Sequence, residues 1–263
     1  MFSTRICTAR DFRSDWFRES PILHNPAYTM HRKAWENAFV YSTLRAACNQ
    51  PLNLIGFGVG DEPLAKHLAS MGHQVLATDL QSHDWQHVHG GLSGMTDAGL
   101  TTRRVDMNWI ENDVHERDFD ACWSLCSMDH LGSVWLLKRF VLNSVNVLHP
   151  GCVAVHTAEY SLCPDMPRSG PTCYLTAADL DDLQLLAAKL GHHMAPIDWH
   201  LGSDREDHAI DYPPYPGPTH IKVGCEGNRW TTSVGIAIRR GPRETWLDAD
   251  ERTARQQADQ SIS

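Results

Sequence analysis

Three glycines and one carboxylate are the residues of this chain with the clearest chemical use. Gly56, Gly58 and Gly60 alternate within a run of five residues, and Asp79 follows 19 residues after the last glycine. Glycines let the backbone pass close to a ligand, and the free N–H groups of a helix start can bind it. A carboxylate at a strand end can accept two hydrogen bonds from a ribose diol. This spacing predicts a site for the nucleoside part of a cofactor.

The sequence around these residues predicts the elements that must position them. Residues 52–55 form an apolar run that is typical of a short buried strand. Residues 62–71 carry apolar side chains at helical spacing, and a second strand is predicted over 74–78, directly before Asp79. A strand, a glycine turn, a helix, a strand and a terminal carboxylate are typical of the first half of a nucleotide-binding α/β sheet.

The glycine frame narrows the choice of cofactor. A dinucleotide fingerprint reads G-x-G-x-x-G, whereas this chain has Asp61 at the position of the third glycine. A carboxylate in the first turn of a helix also repels a pyrophosphate bound there. The residues therefore favour S-adenosylmethionine, which has an adenosine, a sulfonium and no phosphate, over NAD(P). A glycine turn without any ligand is the remaining interpretation.

Composition and charge exclude several classes of partner. The chain has 263 residues, 42% hydrophobic and 21% charged, with a formal net charge of −9. This charge argues against a nucleic acid or an anionic membrane as the main partner. We find no apolar stretch typical of a signal peptide or a membrane span. The eight cysteines form no C-x-x-C pair, and a reducing cytosol is the simpler setting. We therefore expect a cytoplasmic protein.

Strands alternate with helices along the rest of the chain. Helices are predicted over 31–48, 133–148 and 177–190, and strands over 102–105, 119–125, 152–157, 193–198, 219–225 and 230–239. The helix over 133–148 is expected to end at the sequence His149-Pro150-Gly151. This order predicts a Rossmann-like, doubly wound α/β fold with a mostly parallel seven-stranded sheet and an antiparallel C-terminal hairpin.

The same pattern predicts one domain. This domain is predicted over 1–240 and contains an N-terminal cap segment and helix at 1–50 and a substrate lid at 199–222. Residues 241–263 are predicted to form a polar flexible tail. The lid has no helical or strand period, and long loops of this kind are often functional. In such sheets the ligand lies at the carboxyl ends of the strands. The residues directly after each strand are therefore the candidates for the site.

Four segments resemble motifs of the class I S-adenosylmethionine-dependent methyltransferases. They are LNLIGFGVG with its glycines, VLATDL with its ribose acid, FDACWSLCSMDHLGS at the fourth strand and VLHPGCVAVHTAEY at the fifth. These segments most resemble those of the branch of this family that is found beside bacterial polysaccharide and natural-product pathways. Leu54 departs from the pattern, because most members have an acidic residue there. Cys152 replaces the second glycine after Pro150.

The resemblance implies which residues hold the cofactor. Asp79 is expected to accept hydrogen bonds from the ribose hydroxyls, and Asp106 is expected to accept one from the adenine amino group. Each of these two acids could instead only cap a turn. The full set of expected cofactor contacts is Gly56, Phe57, Gly58, Gly60, Asp79, Leu80, Asp106, Met107 and Cys126.

The expected reaction is a direct displacement at the methyl carbon, for which the enzyme aligns the nucleophile, carbon and sulfur. A hydroxyl nucleophile also needs a base. His130 is the first candidate because histidine titrates near neutrality, although it could instead only cap the next helix and form a hydrogen bond with the backbone. Asp129 is expected to orient the substrate. Glu159 is a second candidate for holding a substrate hydroxyl or amine, with a structural ion pair as the equal alternative.

Polar and aromatic residues of the lid predict the substrate contacts. Their number and type suit a hydroxylated, sugar-like molecule. The predicted substrate-binding residues are Tyr41, which we also weigh as a core residue, and Asp207, His208, Asp211, Tyr215, His220 and Lys222. The 16 histidines, including His83, His87 and His89, raise the question of a metal. No segment matches a strong ligand spacing, and no metal is predicted.

These residues predict an S-adenosylmethionine-dependent methyltransferase that acts on a small molecule or a sugar or glycan precursor. O-methylation is the first choice and N-methylation of a small natural-product precursor is the second. An NAD(P)-dependent oxidoreductase and a non-catalytic binding protein of the same fold are the rival hypotheses. The expected partner is the small-molecule substrate, with no nucleic acid and no membrane, and a homodimer is left open.

Overall fold

A twisted sheet of mostly parallel strands organises the chain. The computed structural model describes residues 3–21, 30–47, 52–60, 62–80, 98–115, 118–225, 227–243 and 246–247. The strands are β1 (Thr4–Ile6), β2 (Met30–His31), β3 (Asn53–Phe57), β4 (Gln74–Asp79), β5 (Leu100–Arg104), β6 (Phe119–Leu125), β7 (Leu148–Ser161), β8 (His193–Met194), β9 (Ile197–Asp198), β10 (Ile210–Asp211), β11 (Thr219–His220), β12 (Lys222–Cys225) and β13 (Arg229–Arg239). The helices are α1 (Asp15–Arg18), α2 (Arg32–Ala47), α3 (Pro63–Ser70), α4 (Ile110–Asp113), α5 (Val134–Ser144) and α6 (Ala177–Lys189).

The main sheet has the strand order β10-β12-β13-β7-β6-β3-β4-β5. Strands β5, β4, β3, β6 and β7 are parallel to one another, and β13 runs antiparallel to β7. The outer edge of β13 is shared by β12, β1 and β8. The predicted mostly parallel α/β sheet is confirmed. The predicted count of seven strands was too low, since the sheet has 11 strands in the described part of the chain. The additional strands are short and carry no readable period.

Helices cover both faces of this sheet. Successive residues of a strand point to opposite faces, and in β3 Leu54 packs in one core while Ile55 packs in the other. The core that holds Leu54 contains Trp35 and Phe39 of α2. The opposite core contains Phe140 of α5. Burial on both faces explains why the successive residues Leu54 and Ile55 are both apolar.

Several predicted elements have different bounds in the structure. The strand predicted over 152–157 is part of the longer β7, and the strand predicted over 219–225 is divided into β11 and β12. Two further elements show the reason. The helix predicted over 133–148 ends at Ser144, and residues 145–147 form a tighter 3₁₀ turn. Leu148 already pairs with Phe119 of β6, so the sequence after it belongs to a strand and not to a helix end. The strand predicted over 193–198 is divided into β8 and β9. Sheet pairing, which a local sequence pattern does not contain, decided both outcomes.

Parallel strands that share a direction bring their carboxyl ends to one edge of the sheet. The ends of β3, β4, β5, β6 and β7 therefore meet where the cofactor was expected. Within the described ranges, no helix combines the length and the apolar character that a membrane crossing requires. The fold thus concentrates the candidate residues at one edge, which the next section describes.

A buried histidine lies in the middle of the sheet. The ring of His156 on β7 is fully buried, with Ser124 Oγ 2.8 Å from Nδ1 and Ser144 Oγ 2.9 Å from Nε2. Burial lowers the pKa of His156 to about 3. The ring is therefore neutral in the folded protein at any pH where the fold is expected to persist.

Acid should destabilise the protein through this group. The unfolded histidine has a pKa of about 6.5, so below that pH the unfolded chain binds a proton that the folded chain does not. Between pH ~7.5 and pH ~5.5 the free energy of unfolding should fall by about 1.4 kcal/mol from His156 alone. His156→Gln should remove this contribution to the difference in the free energy of unfolding between the two pH values, which urea titrations measure. Ile236→Val, at the paired position on β13, should lower stability equally at both. An unchanged pH difference in His156→Gln would contradict the assignment.

Candidate functional site

The glycine turn and the ribose-acid candidate meet at the ends of β3 and β4. Gly58 and Gly60 adopt left-handed backbone angles, with φ of 62° and 54°. The backbone N–H of Gly60 donates to Asp79 Oδ2 at 2.8 Å. The Asp79 side chain is buried below the turn. The predicted spacing therefore produces a carboxylate that also holds the glycine turn in place.

Close packing adds a second reason for the glycines. A Cβ atom on Gly56 would overlap the indole of Trp123, and one on Gly58 would overlap the side chain of Ser127. Both neighbours belong to β6 or the turn after it. Phe57 lies between these glycines, but its ring packs edge-on against Phe140 with centroids 5.4 Å apart. Only the backbone of Phe57 is therefore placed to face a ligand.

Three further residues that were expected to contact the cofactor follow β4 and β5. They are Leu80, Asp106 and Met107. Asp106 Oδ1 accepts from the N–H of Asn108 at 2.8 Å, so this acid caps the 3₁₀ turn of residues 107–109. The turn-capping alternative for Asp106 is thus present in the structure. Met107 is buried beneath the glycine turn, and Leu80 is exposed at the end of β4. These positions lie at the same sheet edge as Asp79.

The turn after β6 carries the first part of a buried polar cluster. Cys126 has a φ of 48°, an uncommon angle for a residue with a side chain, and its N–H donates to Thr157 on β7. The chain then turns so that Asp129 Oδ1 accepts from the backbone N–H of Glu159 at 3.0 Å. Asp129 is only 1% exposed, and its Oδ2 has no hydrogen-bond partner among the described residues. Burial and the Glu159 charge raise the pKa of Asp129.

Glu159 is the centre of this cluster. Its carboxylate forms an ion pair with the guanidinium of Arg32 and accepts a hydrogen bond from Thr231 Oγ1 at 3.0 Å. Burial alone would raise the pKa of Glu159, but the positive charges of Arg32 and Lys33 outweigh burial and lower it. Glu159 is therefore ionised while the neighbouring Asp129 is the group that takes up a proton readily. The structural ion pair weighed for Glu159 is present.

The first turn of α2 supplies charges that the sequence prediction missed. Arg32 reaches Glu159, and Lys33 Nζ lies 3.0 Å from Glu36 Oε2. Glu36 is 1% exposed and also accepts from Ser233 of β13. A fully buried glutamate on a helix is uncommon unless it is paired. The charged residues at the start of an otherwise buried helix were the available signal, but their partners lie on distant strands.

The segment over 199–222, predicted to be a substrate lid, carries a second polar group, which lies beside the segment before α2. His220 Nδ1 lies 2.7 Å from Asp211 Oδ2, and the ring of His220 stacks on that of His31 with centroids 4.6 Å apart. Tyr215 contacts His220 edge-on at 5.2 Å. Strand β2 pairs with β11, which ties the lid to the segment before α2. The structure therefore brings three predicted substrate residues together, next to the first turn of α2.

Other predicted substrate residues lie elsewhere. Asp207 is fully buried and accepts from the N–H of Ala9 at 2.8 Å, so it anchors the N-terminal segment. Tyr41 is a core residue, which is the alternative weighed for it: it is buried, and its hydroxyl contacts the sulfur of Met71 near the amino end of β3. Nine residues separate Tyr41 from Arg32 along α2, which carries it away from the strand ends. His208 is exposed, and Lys222 donates to the Leu201 carbonyl at 3.2 Å.

His130 lies at the surface side of the turn after β6. It is exposed, and its Nδ1 lies 2.7 Å from the carbonyl oxygen of Pro171. The backbone bond weighed as the alternative for His130 is therefore present. This bond orients the ring, while Asp129, the preceding residue, points into the buried cluster. The two adjacent side chains thus face different surroundings.

The donor atoms of Cys126, Asp129 and Glu159 lie within 4.8 Å of one another, as metal ligands do. However, both oxygens of Glu159 already bond to Arg32 and Thr231. A divalent cation would also lie beside the Arg32 charge, which repels it. The set therefore suits a hydrogen-bonding substrate better than a metal. Two other features weighed in the sequence, Asp61 and the histidines at 83, 87 and 89, lie outside the described residues.

Removing the buried guanidinium should destabilise the fold strongly. Arg32→Met would leave Glu159 buried without its counter-charge, which typically costs about 3–5 kcal/mol. Arg13→Met is the matched control, because Arg13 forms two ion pairs with exposed partners, Asp204 and Glu206. Such exposed pairs contribute about 0–1 kcal/mol. Urea titration measures both variants. A loss for Arg32→Met no larger than that for Arg13→Met would show that the buried pair is not a major source of stability.

Comparison with known proteins identifies the fold. No protein-family model and no curated protein matches the sequence. Among solved structures, the [4+2]-cyclase SpnF is similar with a TM-score of 0.51 and 16% identity, over 91% of this chain and 99% of that chain. Phosphoethanolamine N-methyltransferase 2 of Haemonchus contortus, in complex with S-adenosyl-L-methionine, has a TM-score of 0.50 and 13% identity, over 88% of this chain and 56% of that chain. At these identities the similarity establishes the architecture and not the reaction. The chain shares the Rossmann-like α/β fold of these two proteins, one of which is a methyltransferase solved with S-adenosyl-L-methionine.

Proposed function

We propose that this protein is an S-adenosylmethionine-dependent methyltransferase that methylates a small polar molecule. The observation that carries the proposal is the position of two groups at one sheet edge. The glycine turn with Asp79 lies at the ends of β3 and β4, and the buried acid Asp129 follows the adjacent strand β6. A cofactor whose nucleoside is held at the glycine turn and Asp79 would direct its methyl group toward Asp129.

The chain offers a suitable residue for each part of the cofactor. The backbone of the glycine turn would lie against the ribose and methionine part, and Asp79 would accept from the ribose hydroxyls. Leu80, Asp106 and Met107 would border the adenine. The carboxyl oxygen Oε2 of Glu62, buried near the turn and without a partner among the described residues, fits a ligand that brings a cation. When bound, S-adenosylmethionine supplies an activated methyl group.

Asp129 is the proton acceptor in this proposal. Its Oδ2 is buried and its pKa is raised, and both properties suit a group that takes a proton from a substrate hydroxyl. The Glu159 N–H fixes the other carboxyl oxygen, and Arg32 holds Glu159 in its ionised form. The chain would thus align an acceptor oxygen with the methyl carbon and remove its proton as the new bond forms.

O-methylation of a sugar or another hydroxylated precursor is our first choice of reaction. The Asp211–His220 pair and Tyr215 offer polar and aromatic contacts at the mouth of the site. N-methylation is the second choice. Its support is that Asp129 Oδ2, which has no hydrogen-bond partner among the described residues, could accept a hydrogen bond from an amine as well as from a hydroxyl.

Two rival functions share this architecture. An NAD(P)-dependent oxidoreductase uses a similar sheet, and SpnF, of similar fold, is named as a [4+2]-cyclase. Calorimetric titration with S-adenosylhomocysteine and with NADH separates the first rival. The second rival is tested by transfer of a labelled methyl group from S-adenosylmethionine to a panel of hydroxyl and amine acceptors. A non-methylating protein would label none of them. The division into a domain over 1–240 and a tail, the cytoplasmic location and a homodimer remain predictions.

Asp79→Asn should weaken cofactor binding without unfolding the protein. Asparagine can still accept from Gly60 but loses the charge offered to the ribose, so we expect about a tenfold or greater loss of S-adenosylhomocysteine affinity. Asp120→Asn is the control, because Asp120 accepts from the Asn53 N–H at the opposite end of β3. Calorimetry measures both variants. Equal affinities in the two variants would exclude the ribose contact.

Asp129→Asn should slow methyl transfer by about 10²–10⁴-fold and leave S-adenosylhomocysteine affinity nearly unchanged. Asp129 accepts a proton only when ionised. The wild-type kcat/KM should therefore rise with pH through the raised pKa of this group, and the variant should lose that rise. His130→Ala is the matched comparison. If His130→Ala abolishes turnover while Asp129→Asn retains it, His130 is the base and Asp129 is not.

A further inference from the structure

A further buried carboxyl group, that of Glu62, lies beside the glycine turn, in the crevice between this turn and the start of α2. Glu62 directly precedes α3, and its carboxyl group is enclosed beside the indole of Trp123. Its Oε2 is fully shielded from solvent and has no hydrogen-bond partner among the described residues. A buried polar atom without a partner is costly, so a natural protein retains one mainly where a ligand completes it.

The charges around Glu62 indicate what kind of ligand would complete it. The charged groups that act on it are Lys33, Glu36 and Asp79, two acids and one lysine. Burial raises the pKa of Glu62 well above its usual range, and the nearby Trp123 indole and the Lys33 charge offset this only in part. A ligand cation with N–H donors would stabilise the ionised carboxylate of Glu62 and offset the cost of burying its charge. An anion or an apolar group would not.

Lys33 provides the complementary charge. Its ammonium contacts Glu36 at 3.0 Å, and 41% of its side chain is exposed. An ammonium has three donors, so it can serve a ligand as well as Glu36. Its charge acts on Glu62, on Glu159 and on the thiol of Cys126. The Lys33 charge is therefore close enough to influence both Glu62 and the buried acid cluster.

Strand β3 supplies no carboxylate of its own to this crevice. The residue two positions before Gly56 is Leu54, which packs in the core below α2 and α3. Any acidic contact to a ligand at the turn must come from another element. Among the described residues, Glu62 at the start of α3 is an acid at this turn in addition to Asp79 of β4.

We propose that Glu62 and Lys33 bind the two ends of an amino-acid group, with Glu62 on the ammonium and Lys33 on the carboxylate of the cofactor. This inference rests on the proposed function and adds to it the residues that recognise the methionine part. The pair fixes the direction of the cofactor. With its amino-acid end at α2 and α3 and its ribose at Asp79, the sulfur lies between them and faces the turn after β6.

Three ligands that differ only in the amino-acid group test the proposal by calorimetry. S-adenosylhomocysteine has both charged groups, its decarboxylated analogue has only the amine, and 5′-methylthioadenosine has neither. Glu62→Gln resembles the protonated side chain in shape, and Lys33→Met keeps the aliphatic stem. Glu206→Gln, in an exposed ion pair with Arg13, is the control variant.

The expected pattern is specific to each variant. Glu62→Gln should weaken S-adenosylhomocysteine and the decarboxylated analogue about tenfold or more, and 5′-methylthioadenosine less than about twofold. Lys33→Met should weaken S-adenosylhomocysteine by a similar factor and leave the decarboxylated analogue nearly unchanged. Glu206→Gln should change none of the three. Thermal melts confirm that each variant is folded.

Several results would overturn the proposal. Unchanged S-adenosylhomocysteine affinity in either variant removes that residue from the contact. Equal losses for all three ligands would mean that the variant disturbs the crevice in general and does not recognise the amino-acid group. If the wild-type protein binds none of the three ligands, the proposed function itself fails, and that outcome is distinct from the two above.

Discussion

The buried ion pair between Arg32 and Glu159 is the interaction on which the candidate site depends. It joins the first turn of α2 to the end of β7, and through Thr231 to β13. Neither charge could be buried alone at an acceptable cost. The pair also separates the behaviour of two neighbouring acids, because it keeps Glu159 ionised while Asp129, without such a partner, has a raised pKa. One ion pair therefore supports both the packing of α2 and the acid–base chemistry of the site.

The sheet decides how the two halves of the site face each other. Strands β4 and β6 both pair with β3, on opposite sides, so Asp79 and the turn at Cys126 flank the glycine turn. Helix α2 then covers this edge because Gly235 of β13 leaves room for the ring of Phe39. The lid reaches the same edge through the pairing of β2 with β11. Four distant stretches of chain thus meet at one place.

Much of the fold could be predicted from local patterns. The strand over 119–125 has its predicted bounds, and the helix predicted over 177–190 ends within one residue of α6. Asp79 was found from its spacing to the glycines, because a strand–turn–helix–strand unit has a nearly fixed length. The end of α5 and the division of β8 from β9 could not be predicted. They depend on pairing with strands that are remote in the sequence.

The sequence by itself determined the residue types and the local frame: a glycine turn, an acid at the next strand end, an acid and a histidine after β6, and an acid near the end of β7. Only the tertiary structure decided which of them share surroundings. It placed Asp129 in the buried cluster and His130 at the surface, although the two are adjacent. It also brought in Arg32, Lys33 and Glu62, which no spacing rule selects. The reason is physical: burial and charge pairing depend on contacts between segments, and a linear pattern does not contain those contacts.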